Sequence, residues 1–78
     1  MKTIKLTNFN LTKRQALSGE EYFIIFDQNT STAYFCFANK LKHDWGYLSA
    51  NFESLKAVEI DFEESEKGKK VLSLTEIF

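Results

Sequence analysis

The sequence predicts a small, β-rich α+β domain, and three observations carry that prediction. The first is a pair of aromatic-rich runs, Tyr22 to Phe26 and Ala33 to Phe37, flanking the polar break Asp27-Gln28-Asn29-Thr30-Ser31-Thr32. β-Branched and aromatic residues around a cluster of turn formers read as a β-hairpin. The second is alternation. Ile4 and Leu6 alternate with Lys5 and Thr7, and Val58, Ile60 and Phe62 with Glu59, Asp61 and Glu63; period-two patterning marks half-solvated strands. The third is size: 78 residues with one cysteine make a single domain, 1–78, with no disulfide framework to staple it. Stability then rests on apolar burial. Eight Phe, three Tyr and one Trp supply it, each able to bury about 150–250 Å².

Taken in order, Thr3 to Leu11 reads as the first strand. Thr12-Lys13-Arg14-Gln15 matches a capping box and Gly19 is a natural terminator, which predicts a short helix or a single turn. The hairpin follows over Glu20–Asp27 and Thr32–Leu41. Phe23 and Ile25 point one way, and Tyr22, Ile24 and Phe26 the other. A ribbon with one wet face should alternate apolar and polar, so both faces are expected to be covered, by the rest of the chain or by another molecule. Phe23, Ile25, Phe35 and Phe37 are the expected core, with Leu6, Val58, Ile60 and Leu72 packed nearby. Residues 40–47 read as a loop around Asp44 and Gly46. In 48–56, Ser49 as N-cap with Phe52 and Leu55 at i, i+3 favours a helix, although Leu48, Ala50 and Phe52 also alternate as in a strand. Val58 to Phe62 is a strand, Glu63 to Lys70 a charged hairpin loop with Gly68 free to adopt positive φ, and Val71 to Phe78 a last strand with Leu72 and Leu74 inward.

The resulting order is strand, short helix or loop, strand, strand, helix, strand, strand. It suits a small antiparallel sheet or a five-stranded OB or SH3-like barrel with one or two short helices. Fold class does not entail function.

Catalysis is poorly supported. The chain has no GxxxxGK[ST] loop, GxGxxG turn, HExxH or CxxC. Cys36 lies mid-strand between Phe35 and Phe37, where cysteine acts as a small buried hydrophobe rather than as partner to His43. One histidine and one cysteine cannot build a zinc site of the usual kind within one chain, so neither metal nor cofactor is expected. Glu59, Asp61 and Glu63 alternate with apolar residues and therefore mark a wet face rather than an acid–base pair. There is no apolar run of about 20 residues, and the start of the chain is charged and discontinuous in hydropathy. A cytoplasmic protein with no membrane partner is the expectation, which leaves the sequons at Asn10 and Asn29 idle. The bias to Lys, Asn, Phe, Ile and Tyr points to an AT-rich coding sequence, as in low-GC bacteria and their phages.

Two binding functions remain. An aromatic excess without a catalytic set predicts a protein that acts through protein–protein contact, such as a phage-type inhibitor or modulator of a host protein. Its candidate anchors are Trp45 and Tyr47, with the competing expectation that Trp45 merely closes one end of the core. Its candidate acidic surface is Glu59, Asp61, Glu63 and Glu64, weighed against an ordinary solvated face at a net charge of −1. The two-sided apolar hairpin also predicts a homodimer. The alternative is an OB-like single-stranded nucleic-acid-binding protein, using Lys13, Arg14, Lys40, Lys42, Lys67, Lys69 and Lys70 as cations, with Tyr22, Tyr34 or Trp45 for stacking.

Overall fold

Alternation around Ile4 and Leu6 does not continue to Leu11 as one strand. In the computed structural model, which describes residues 2–39, 41 and 45–77, β1 (Lys2–Leu6) and β2 (Phe9–Gln15) are separated by a bend at Thr7-Asn8. β2 runs through the stretch expected to be helical, pairing with β3 (Glu21–Asp27) from Phe9↔Asp27 to Gln15↔Glu21. The capping box loses because a four-residue helix cannot repay its nucleation, whereas a strand there gains a full ladder and turns Leu11 toward the core. Gly19 still terminates the element, but as a hairpin turn. Its φ is +92°, its N–H donates to the Ala16 carbonyl at 2.9 Å, and the Ala16 N–H donates to the Glu20 carbonyl at 2.8 Å.

The expected central hairpin is present as β3 and β4 (Thr32–Phe37). Its turn is organised by Asp27, which is buried and accepts the Asn29 N–H at 3.1 Å and the Thr30 hydroxyl at 2.8 Å. Helix α1 spans Trp45–Asn51. It starts and ends earlier than the expected 48–56, with Ser49 inside it rather than capping it and Phe52 and Leu55 beyond it, and it places Trp45 and Tyr47 on a helix rather than in a loop. The Trp45 N–H donates to the Leu41 carbonyl at 2.8 Å. The charged loop expected over Glu63 to Lys70 shrinks to Glu66-Lys67 between β5 (Val58–Ser65) and β6 (Gly68–Glu76). Glu63 faces Lys70 and Glu64 faces Lys69 across the two strands, so the opposed charges extend the ladder. Gly68, at φ +121°, completes the turn, and a Cβ there would stand 3.2 Å from the Phe35 ring.

The six strands form one mixed sheet in the order β1-β5-β6-β4-β3-β2. The β4–β6 pair is parallel and the others antiparallel, so a purely antiparallel sheet is corrected to a mixed one. The sheet is not closed into a barrel: β1 and β2, only two residues apart in sequence, form its two edges.

One face of the sheet is core. Leu6, Phe23, Ile25, Tyr34, Cys36, Val58, Ile60, Phe62, Val71 and Leu74 are buried there, roofed by Leu41, Leu48 and Leu55. The Phe23 ring lies 5.2 Å from Trp45 and 5.0 Å from Phe52. Three core expectations are corrected. Phe23 pairs with Cys36 and Ile25 with Tyr34, so Phe35 and Phe37 belong to the opposite face. In β6, Asp61↔Ser73 is followed by Phe62↔Val71; Leu72 is the extra residue of a bulge, which puts Val71 and Leu74 inward in its place.

Candidate functional site

The face of the sheet opposite the core is aromatic on one side. β3 presents Tyr22, Ile24 and Phe26 there, paired with Phe37, Phe35 and Ala33 of β4. Tyr22, Ile24, Phe35 and Phe37 are partly exposed, and Phe26 is 39 % exposed. Tyr22 and Phe37 have ring centroids 5.3 Å apart; Phe35 lies 6.5 Å from each. Three rings thus form one continuous platform with solvent access.

Cations flank the platform on both sides. Arg14 of β2 pairs directly with Tyr22. Lys70 of β6 pairs with Phe35, and its Nζ stands 5.9 Å from the Phe37 ring centroid, within cation–π reach. A shallow groove of about 400 Å³ is lined by Ala16, Tyr22, Phe35, Phe37, Lys67 and Lys70. It is bordered by the β2–β3 loop at one end and the β5–β6 turn at the other. No carboxylate lines it among the described residues. Chemically, the groove offers flat apolar surface with positive charge at its rim, which suits a planar ring carrying an anionic tail.

Trp45 packs on Phe23 and is only partly exposed, the end-closing position. Tyr47 is 47 % exposed and donates its hydroxyl to Glu76, a bond that raises its pKa first, with slight desolvation and the Glu76 charge adding to it. Glu59, Asp61 and Glu63 do share the outer face, on β5. Asp61 accepts hydroxyl bonds from Thr3 and Ser73, which hold its carboxyl below the usual range. Glu64 accepts from Lys2 at 3.0 Å, and that bond and charge lower its pKa likewise. Lys13 is ion-paired to Glu21 at 3.0 Å. Lys69 pairs across from Glu64 and Tyr34, away from the ring row. Lys40 and Lys42, like His43, lie outside the described residues. Tyr34 is buried, 4.9 Å from Phe62, and Cys36 is buried with its thiol pushed up to about 12 by desolvation. Among the described residues no group of three His, Cys, Asp or Glu side chains could hold a metal ion, and no helix is long and apolar enough to cross a membrane.

The structure therefore brings together Arg14, Lys67 and Lys70 of the cations and Tyr22 of the expected stacking residues. Phe35 and Phe37 join them in place of Tyr34 and Trp45. The missed signal was hairpin register: a break centred on Asn29 and Thr30 pairs Asp27 with Thr32 and fixes Phe23 opposite Cys36. Comparison with protein-family models, curated proteins and solved structures finds no match to this chain.

Proposed function

We propose that this protein is a non-catalytic, single-stranded nucleic-acid-binding protein of OB type. The observation that carries the proposal is the cation-flanked platform of Tyr22, Phe35 and Phe37. Stacking rings plus a basic track are the physical requirements for holding unpaired bases and their phosphates. Topology supports it. Counted as one bent strand, β1 and β2 reduce the sheet to five strands with α1 between the third and fourth. In that arrangement the binding surface is the face of strands two and three with the loops after strands one and four. Those elements correspond to β3, β4, the Ala16–Glu20 loop and the Glu66-Lys67 turn, which together border the groove.

Fluorescence anisotropy with labelled oligo-dT tests the proposal. Three cations facing phosphates give a slope of log K against log salt near −2, or roughly a twentyfold loss between about 50 and 200 mM salt. Charge reversal at Lys67 and Lys70 should abolish binding. No binding at 50 mM salt would refute the proposal.

A second reading is contact with a protein partner, as an inhibitor or modulator, through the same face. It is favoured by Ile24 and the exposed Phe26, which extend the apolar surface beyond the reach of the lysines. Light scattering separates the two: a stable dimer that fails to bind oligo-dT favours protein contact, here with a second copy.

A further inference from the structure

The two edges of the sheet differ in character. β1 is 5 residues long and carries Lys2 and Lys5, the short, charged form that blunts an edge. β2 is 7 residues long and pairs with β3 without a register shift. Its charges, Lys13 and Arg14, sit together near one end. The Gln28 N–H donates to the Asn8 carbonyl, and the Ala16 N–H to the Glu20 carbonyl. In an antiparallel ladder such bonds fall on alternate residues, so Asn10, Thr12 and Arg14 turn their backbone groups to β3. Phe9, Leu11, Lys13 and Gln15 therefore turn theirs off the edge. The core is open on the same flank. Phe9 and Leu11 are only partly buried, and with Phe52, Glu53 and Leu55 they border a shallow cleft of about 260 Å³. An added strand would satisfy the ladder and cover the cleft at once.

We propose that a second copy of this chain supplies that strand, its β2 running antiparallel to this one about Thr12. In that register Phe9 lies opposite the partner's Gln15, Leu11 opposite the partner's Lys13, and Thr12 opposite the partner's Thr12. Every open backbone group then finds a partner along the whole of β2. The charge pattern fits this pairing. Arg14 meets the partner's Asn10 and Lys13 the partner's Leu11, whereas parallel pairing in register sets each cation on its own copy. The partner's Lys13, across from Leu11, arrives beside Glu53 on the cleft wall, and the two-fold axis makes that contact twice. The axis stands perpendicular to the sheet, so both outer faces point the same way. With strands about 4.8 Å apart and a rise of about 3.4 Å per residue, the two Tyr22 side chains stand roughly 20 Å apart on one surface. On the single-strand reading, one long oligonucleotide then engages both platforms; the pairing itself does not depend on that reading.

Light scattering against concentration, on the full chain, tests the pairing. The wild type should be a dimer at about 100 µM. Thr12→Lys and Thr12→Glu each place like charges face to face across the axis and should raise the dissociation constant about fivefold. An equimolar mixture of the two variants should restore it. Phe26→Ser, on the exposed aromatic face, should leave it unchanged, and thermal melting confirms that the variants are folded. In hydrogen exchange the Leu11 and Lys13 amides should be protected in the dimer and lose protection on dilution, while the Thr12 amide, bonded to β3, stays protected. A monomeric wild type, a dimer indifferent to both charges at Thr12, or one dissociated by Phe26→Ser overturns the inference. None of these outcomes reads oligo-dT binding, so the single-strand reading stands or fails separately.

Discussion

The two faces of the β3–β4 hairpin are made of similar residues and have opposite fates. Phe23, Ile25, Tyr34 and Cys36 are sealed beneath α1 and the segments around it, while Tyr22, Ile24, Phe26, Phe35 and Phe37 keep access to solvent. Hydrophobicity does not distinguish the two sets. What distinguishes them is which face the chain between β4 and β5 covers, since Leu41, Trp45, Leu48, Phe52 and Leu55 all pack on one side. A chain this short roofs one face of its sheet and leaves the aromatic half of the other open. Of the two kinds of cover expected for the hairpin, the chain itself does not supply the one for this face: among the described residues, nothing in it packs over the aromatic half.

The two faces should differ most at paired phenylalanines. Phe23→Ala should cost about 3–5 kcal/mol, enough to unfold much of a domain this small. Phe35→Ala, taken from the open face, should cost only about 1–2 kcal/mol, while removing most of any oligonucleotide affinity. Denaturant midpoints read both, and equal costs would dissolve the distinction between the faces.

The same contrast operates along β6. Leu74→Ala should destabilise by about 2–4 kcal/mol and Leu72→Ala, at the bulge, by less than about half of that. The reverse ranking would show that the bulge is misplaced. Cys36 sharpens the picture without any substitution. With its thiol pushed up to about 12 and its side chain sealed, it should react with a thiol reagent at pH 8 only as fast as the whole domain opens. Labelling that ignores added stabilising osmolyte would contradict a sealed inner face.

The smallest expected effect is electrostatic and lies on β5, at Asp61 of the outer face and Glu64 of the other. The folded-state carboxyls of Asp61 and Glu64 lie below their ordinary values. Their contribution is therefore fully present above the unfolded values, about 4, and is lost as pH falls through the lowered folded values. The melting-temperature gap between wild type and Asp61→Asn should be widest near neutrality and close below about pH 4. A gap independent of pH would mean that the bonds to Thr3 and Ser73 do not favour the charged form.

Much of this architecture is legible from residue pattern. The hairpin, the strand through Val58 and Phe62 and the closing strand follow from period and turn chemistry; a helix before Val58 is also expected, but over 48–56 rather than Trp45–Asn51. The failures are equally specific. Thr12 to Gln15 carries a capping signal that strand pairing overrides, a conflict that local sequence cannot arbitrate. Leu72 and Leu74 look equivalent, because one bulge residue moves everything beyond it to the other face. Most consequential is β4, where Ala33, Phe35 and Phe37 on one parity and Tyr34 and Cys36 on the other are all apolar. Only the register with β3 decides which set faces out, and with it which rings belong to the candidate site. Arg14, Lys67 and Lys70 are recognisable as loop-proximal cations, but Arg14 reaches the rings through the β2–β3 ladder that replaces the expected helix, and Lys67 and Lys70 through the β4–β6 pairing, which joins distant segments of the chain.

Binding at the outer face requires that its rings be open to solvent in the free protein. Aromatic ring protons observed by NMR in the presence of a soluble paramagnetic probe measure this directly. Tyr22, Phe35 and Phe37 should broaden strongly while Phe23 and Tyr34 remain sharp, with oligo-dT restoring the outer signals. If Phe35 and Phe37 are as protected as Phe23 in the free protein, the aromatic face is covered and the account is wrong.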